Sequence, residues 1–158
     1  DMSPSEGERD ASLIVHSQLA ELARVNAWVQ DWAQRQRLPA SVVHSIDLCS
    51  TEVVTNIVNH AGQCGAQHIL LKLGWQGEAV ALEVEDEGAR FDPRDVVPPT
   101  RATSLRDARI GGWGIPIVRH FSDDVRYRHE GGRNHLTLLF HATAPASPAA
   151  TTPSTTEE

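Results

Sequence analysis

STEVVTNIVNHA, residues 50–61, is the stretch on which the reading of this chain turns. Its Val and Ile residues suit a buried helix. Steps of roughly 100° per residue place Val42, Val43, Ile46, Val53, Val54, Ile57 and Val58 on one broad face, while Glu52, Asn56 and Asn59 share a narrow stripe beside it. Taken alone, such an E-x-x-x-N stripe is more often a solvated helix edge than a site. It can also give one wall of a cleft a carboxylate base and a hard oxygen ligand for magnesium.

Working outward, Ser41 can cap this helix, which runs to about Ala61, with Gly62 and Gly65 in the exit loop. Upstream, ASLIVH (residues 11–16) is a strand candidate, and Leu19, Leu22, Val25, Val29 and Trp32 recur at helical spacing until Pro39 ends the helix. Downstream, HILLKLGW and AVALEVED flank Gln76 and Gly77 as an antiparallel hairpin. Residues 87–111 carry Gly88, Pro93, Pro98, Pro99 and Gly111 with little periodicity, and a loop that long usually has a function. GGWGIPIVRHF then opens a short helix that tolerates Pro116 in its first turn, and DVRYRHE and NHLTLLFH form a second hairpin across Gly131 and Gly132. The order β, α, α, β, β, loop, α, β, β predicts an α+β fold. Its form is a two-layer α/β sandwich, with a mixed, mostly antiparallel sheet and helices on one face.

The chain has 158 residues, enough for one core, and the folded unit is expected over 11–142. The polar segment 1–10 and the Pro, Ala and Thr tail 143–158 are expected to be disordered. Fourteen Lys and Arg against 21 Asp and Glu give a charge of −7, which argues against general nucleic-acid binding. Cys49 and Cys64 have neither disulfide-framework nor zinc spacing, so a reducing cytoplasm is expected. No apolar run reaches the roughly 20 residues that span a bilayer, and there is no secretory signal pattern, so no membrane partner is expected.

Two further stretches carry chemistry. In VEDEGARFDP (84–93) a strand ends in Asp86, Glu87 and Gly88, where a carboxylate can accept from an exocyclic amine and a glycine lets a flat ring approach. An acidic turn is the bland alternative. In GGWGIP (111–116) glycines lead into a helix whose first N–H groups can hold phosphate. This is neither a Walker A loop nor a Rossmann fingerprint.

In this order E-x-x-x-N-x-x-x-H-A, D-E-G-x-x-F-D-P and G-G-x-G-I-x-x-V resemble the histidine-kinase-like (Bergerat) ATP-binding fold over nearly the whole folded unit. The leading strand and helix, the F-D-P and the ending DDVRYRHEGGRNHLTL look most like bacterial anti-sigma-factor serine kinases, the switch kinases of partner-switching systems. The resemblance implies ATP and Mg2+ as cofactors, with Asn56 as the magnesium ligand and Glu52 as the base for the attacking hydroxyl. It implies that Asp86 binds the adenine amino group beside Gly88, that Gly112, Gly114 and Ile115 hold the nucleotide at the helix start, and that 95–111 form a lid. Arg101, Arg106 or Arg109 would reach the phosphates from that lid. The implied partners are a STAS-domain antagonist, phosphorylated on serine, and a sigma factor or other regulator that the kinase sequesters, the kinase itself acting as a homodimer.

Two departures stand out. Arg90 occupies a position where many relatives have glycine, and Arg133 and Asn134 replace a frequent Gly-Thr, leaving Asn134 or Thr137 to supply a polar contact. His60 is read as a local helix-end hydrogen bonder, and the Trp28 and Trp32 pair as core before partner surface. Arg90 motivates a second reading, a nucleotide-dependent module that captures a regulatory partner without transferring phosphate. A third, the catalytic half of a sensor histidine kinase, requires a phosphoacceptor histidine on a dimerisation helix, a setting that His16 and His44 lack.

Overall fold

In the computed structural model, residues 9–64, 68–88, 90 and 114–142 are described. Five strands, β1 (Ala11–His16), β2 (His68–Gln76), β3 (Ala79–Asp86), β4 (Asp124–Glu130) and β5 (Arg133–His141), form one sheet in the order β1-β2-β3-β5-β4. Three helices accompany it: α1 (Leu22–Arg35), α2 (Ala40–Cys64) and α3 (Gly114–Phe121). Every neighbouring pair is antiparallel, so the sheet is uniform where a mixed one was expected.

Strand alternation fixes the two layers. Ile69, Leu71 and Leu73 of β2, Val80, Leu82 and Val84 of β3, and Leu136, Leu138 and Phe140 of β5 join Val25, Val29 and Trp32 of α1 and Ile46, Val53 and Val54 of α2 in one core. The opposite phase carries Lys72, Glu83, Thr137 and Arg126, register neighbours across four strands, and it faces away from the helices. Trp32 is fully buried and Trp28 packs partly buried against the same core, so the pair is structural.

Both hairpins turn on glycine. Gly77, at φ 60, opens the two-residue loop between Gln76 and Ala79, and Gly131 and Gly132, at φ 61 and 76, form the loop between Glu130 and Arg133. Two successive positive φ values give the twist of a primed turn, which glycine adopts without steric cost.

The helix boundaries differ from expectation in instructive ways. Leu19 belongs to a 3-10 turn (Leu19–Glu21) and stays 52% exposed, because three residues per turn rotate it off the α1 stripe. Helix α1 ends before Pro39, in a Schellman turn: Arg37 adopts φ 57, its N–H donates to Gln34 O at 3.1 Å, and Leu38 N–H donates to Ala33 O at 3.1 Å. Pro39 instead stands just before α2, its carbonyl accepting from Val42 and Val43 at 3.0 and 3.1 Å. Ser41 therefore lies inside the first turn and is not the cap. At the other end α2 continues through Gly62 to Cys64. Before β1, Arg9 and Asp10 already lie against β2: the Arg9 guanidinium sits 5.6 Å from the Trp75 ring, and the Asp10 carboxylate approaches Gly74 so closely that a Cβ there would meet it at 2.5 Å. No described helix is long and apolar enough to cross a membrane.

Candidate active site

Two groups of polar side chains occupy the helix side of the sheet. The first rides on α2. Ile46, Val53 and Val54 face the core, and Asn56, only 6% exposed, lies on the flank of that face with half-buried Glu52 one turn before it. Asn59, further round, is exposed. Burial pushes the Glu52 carboxyl above its ordinary value, which favours proton uptake.

Cys49 shares the flank and explains how α3 reaches it. Its Sγ lies 4.0 Å from the Val118 carbonyl, and the Phe121 ring packs edge-on against His44 with centroids 6.1 Å apart. Later residues of α3 thus meet earlier residues of α2, so the helices run antiparallel. The N-terminal end of α3, at Gly114 and Ile115, is directed along α2 towards Glu52 and Asn56. A carboxyl group, a carboxamide oxygen and the positive end of a helix dipole are thereby brought to one side of the sandwich.

Burial and the neighbouring Glu52 charge push the Cys49 thiol up to about 12. It is a packing group and not a nucleophile. Alkylation of the native protein by iodoacetamide at about pH 8 should spare Cys49 and proceed readily once the chain is unfolded. Labelling at the unfolded rate, mapped by mass spectrometry, would mean that α3 does not hold against α2.

The second group closes the ends of β3 and β5. Asp86 is in phase with Val80, Leu82 and Val84, Asn134 with Leu136 and Leu138, and the two are register partners. Asp86 is 8% exposed and Asn134 6%. Asp86 Oδ1 accepts from Gly88 N at 2.8 Å and from Asn134 Nδ2 at 3.1 Å, and the same Nδ2 lies 3.3 Å from Gly88 O. The Tyr127 hydroxyl donates to Asn134 Oδ1 from the adjacent strand β4. Among the described residues Asp86 Oδ2 accepts no hydrogen bond, so an oxygen of a largely buried carboxylate remains to meet a donor from outside the chain. On the rim, Arg133 pairs with Glu87 at 3.0 Å, both half exposed.

Of the residues singled out in the sequence, Glu52 and Asn56 share one flank of α2, Asp86 and Gly88 form the strand-end group, and Gly114 and Ile115 begin α3. Gly112, the segment 95–111 and its arginines 101, 106 and 109 lie outside the described residues, as does the His60 side chain. Arg90 is exposed. Thr137 is the departure: alternation sends it to the outer face between Glu83 and Arg126, and Asn134, three residues earlier and in the buried phase, takes the place beside Asp86. Tyr127 was not singled out at all.

Residues 15–140 match the family described as Histidine kinase-like ATPase domain. The chain belongs to that family. Among curated relatives, the Serine/threonine-protein kinase BtrW of Bordetella bronchiseptica is 38% identical over 123 residues, covering 76% of this chain and 84% of the relative. Among solved structures, the RsbU and RsbW domains of Rv1364c from Mycobacterium tuberculosis align with a TM-score of 0.60 at 17% identity over 84% of this chain. This ATPase domain spans 31% of that longer chain, and the likeness is one of fold. The α+β sandwich expected from the sequence is thus the architecture of histidine kinase-like ATPase domains, and the two polar groups occupy the segments that carry the E-x-x-x-N and D-x-G stretches.

Proposed function

We propose that the chain is an ATP-dependent protein-serine kinase of a partner-switching system, phosphorylating a STAS-fold antagonist and, when that antagonist is already phosphorylated, sequestering a sigma factor or another regulator. The observation that carries this reading is the convergence of Glu52, Asn56 and the N-terminal end of α3 on one side of the sandwich. The 38% identity to a serine/threonine-protein kinase supports it.

The donor set fits Mg-ATP chemically. Asn56 offers a buried hard oxygen to the metal, and the free acceptor on Asp86 suits the adenine amine, with buried Gly88 allowing the ring to approach. Gly112, Gly114 and Ile115 would hold the phosphate end at the start of α3. When bound, Mg-ATP supplies the phosphoryl group and the metal charge that its transfer needs. The chain's own work is to place the nucleotide and to hold a proton: Glu52, its carboxyl raised by burial, accepts it from the serine hydroxyl of the antagonist. A homodimer in the cytoplasm is the form in which we expect it to act.

Incubation with Mg-ATP and a panel of purified STAS-fold proteins tests the proposal, with phosphoserine read by mass spectrometry. Acid-stable phosphate on a serine of one panel member is the expected result. Stable capture of a partner with no phosphate transferred at saturating Mg-ATP would establish the binding-module reading instead, and acid-labile phosphate would point to a histidine acceptor.

A further inference from the structure

We propose that Asn134, oriented by Tyr127, is a positioning residue that makes the pocket select a 6-aminopurine over a 6-oxopurine by occupying one of the two oxygens of Asp86. The inference rests on the reading of Asp86 as the contact for the base.

The geometry leaves Asn134 a single orientation. Its Nδ2 faces two acceptors, Asp86 Oδ1 at 3.1 Å and Gly88 O at 3.3 Å, and its Oδ1 receives the Tyr127 hydroxyl. Turning the amide over would set its carbonyl against a carboxylate and a second carbonyl, so the hydrogen bonds themselves assign the atoms. Gly88 N reaches the same Asp86 Oδ1 at 2.8 Å. That oxygen therefore serves two donors, while Oδ2 serves none among the described residues.

A carboxylate with one available oxygen suits adenine, which offers a single exocyclic amine at its 6-position. Guanine is bound best by a carboxylate with both oxygens free, because its ring N1–H and its 2-amino group form two parallel donors. With Oδ1 engaged, guanine can make only one of these bonds and must bury the other donor unpaired, while its 6-oxo group brings a second acceptor towards the carboxylate. Sites that leave a polar group unpaired in the wrong ligand discriminate strongly. Burial of Asp86 and Asn134 keeps water from restoring the missing bond. Tyr127 contributes at one remove, since its hydroxyl adds a bond to Asn134 Oδ1 that favours this orientation of the amide over the turned one.

The dissociation constants of Mg-ATP and Mg-GTP, measured by calorimetry for wild type, Asn134→Ala, Asn134→Thr and Tyr127→Phe, decide the matter. Wild type should prefer ATP. Asn134→Ala should narrow the ATP-to-GTP ratio by roughly tenfold and Tyr127→Phe by about threefold, the range of one lost hydrogen bond. Asn134→Thr, whose hydroxyl can still donate to Asp86 Oδ1, should restore most of the preference. Equal weakening of both nucleotides in Asn134→Ala and Tyr127→Phe, with the ratio unmoved, would reduce Asn134 to a structural strand residue and overturn the inference while leaving the nucleotide pocket intact. Should Asn134→Ala fail to fold, Tyr127→Phe, which loses one hydroxyl, carries the test. A wild type that binds neither nucleotide would remove the pocket itself, and this inference with it.

Discussion

Glu52→Gln should lower phosphate transfer to the serine acceptor by roughly 10² to 10⁴ while leaving Mg-ATP affinity near the wild-type value. Glutamine keeps the shape and hydrogen-bonding reach of the side chain and removes only its capacity to take up a proton. Single-turnover transfer measured beside calorimetric binding separates the two effects; a Gln variant that transfers at the wild-type rate would show that Glu52 is not the base. Burial raises the Glu52 carboxyl above its ordinary 4.5, so the acid limb of the wild-type pH–rate profile should lie above that value and be absent from the variant. Stability should move the other way. The folded protein holds the Glu52 proton more tightly than the unfolded chain does, so the ionised carboxylate costs stability above the raised pKa and nothing below the unfolded value. The Gln variant should therefore melt higher than wild type at about pH 7, and the difference should vanish towards about pH 4. Such a cost to the fold is the exchange of stability for function that the proposed role of Glu52 entails.

Asp86→Asn should weaken Mg-ATP binding by roughly 10² without unfolding the protein. The carboxamide oxygen can still accept from Gly88 N and Asn134 Nδ2, which keeps the strand ends joined. The new NH2 then stands where Asp86 Oδ2 was, and it faces the amine of the base donor to donor. Calorimetry with Mg-ATP, with thermal melting of the apo protein as control, reads both halves. Wild-type affinity in a folded variant would remove Asp86 from the nucleotide contacts.

The layered fold was legible because its signals are periodic. The Val and Ile spacing of α2 and the alternation of β2, β3 and β5 each identify the buried face of an element without knowledge of its partner. The same alternation contained more than was taken from it. Asp86 is in step with the buried Val80, Leu82 and Val84, and Asn134 with the buried Leu136, Leu138 and Phe140, whereas Thr137 is out of step, so strand phase alone favoured Asn134 as the polar contact. Tyr127 left no comparable signal: its contact with Asn134 depends on the β4–β5 register, which two positive-φ glycines at the turn set. The end of α1 was misjudged for a local reason. Pro39 is an obvious stop, and it hid the Schellman turn two residues earlier, where an arginine holds the left-handed conformation usually left to glycine. For residues 95–111 and their arginines, periodicity had nothing to offer, since that segment is irregular in sequence.

The placement of Asp86 and Asn134 also says when the pocket comes into being. Hairpins β2–β3 and β4–β5 are each closed by a two-residue loop and can zip up on their own, on the microsecond scale of such events. Asp86 and Asn134 are 48 positions apart and meet only across the β3–β5 ladder that docks one hairpin on the other. That docking must first meet the entropy of closing a long loop, which makes it the slow step of assembly. A partly folded chain holding both hairpins would thus lack the proposed nucleotide site, and ATP bound there would act as a ligand of the finished sheet alone, drawing the folding equilibrium towards it by mass action.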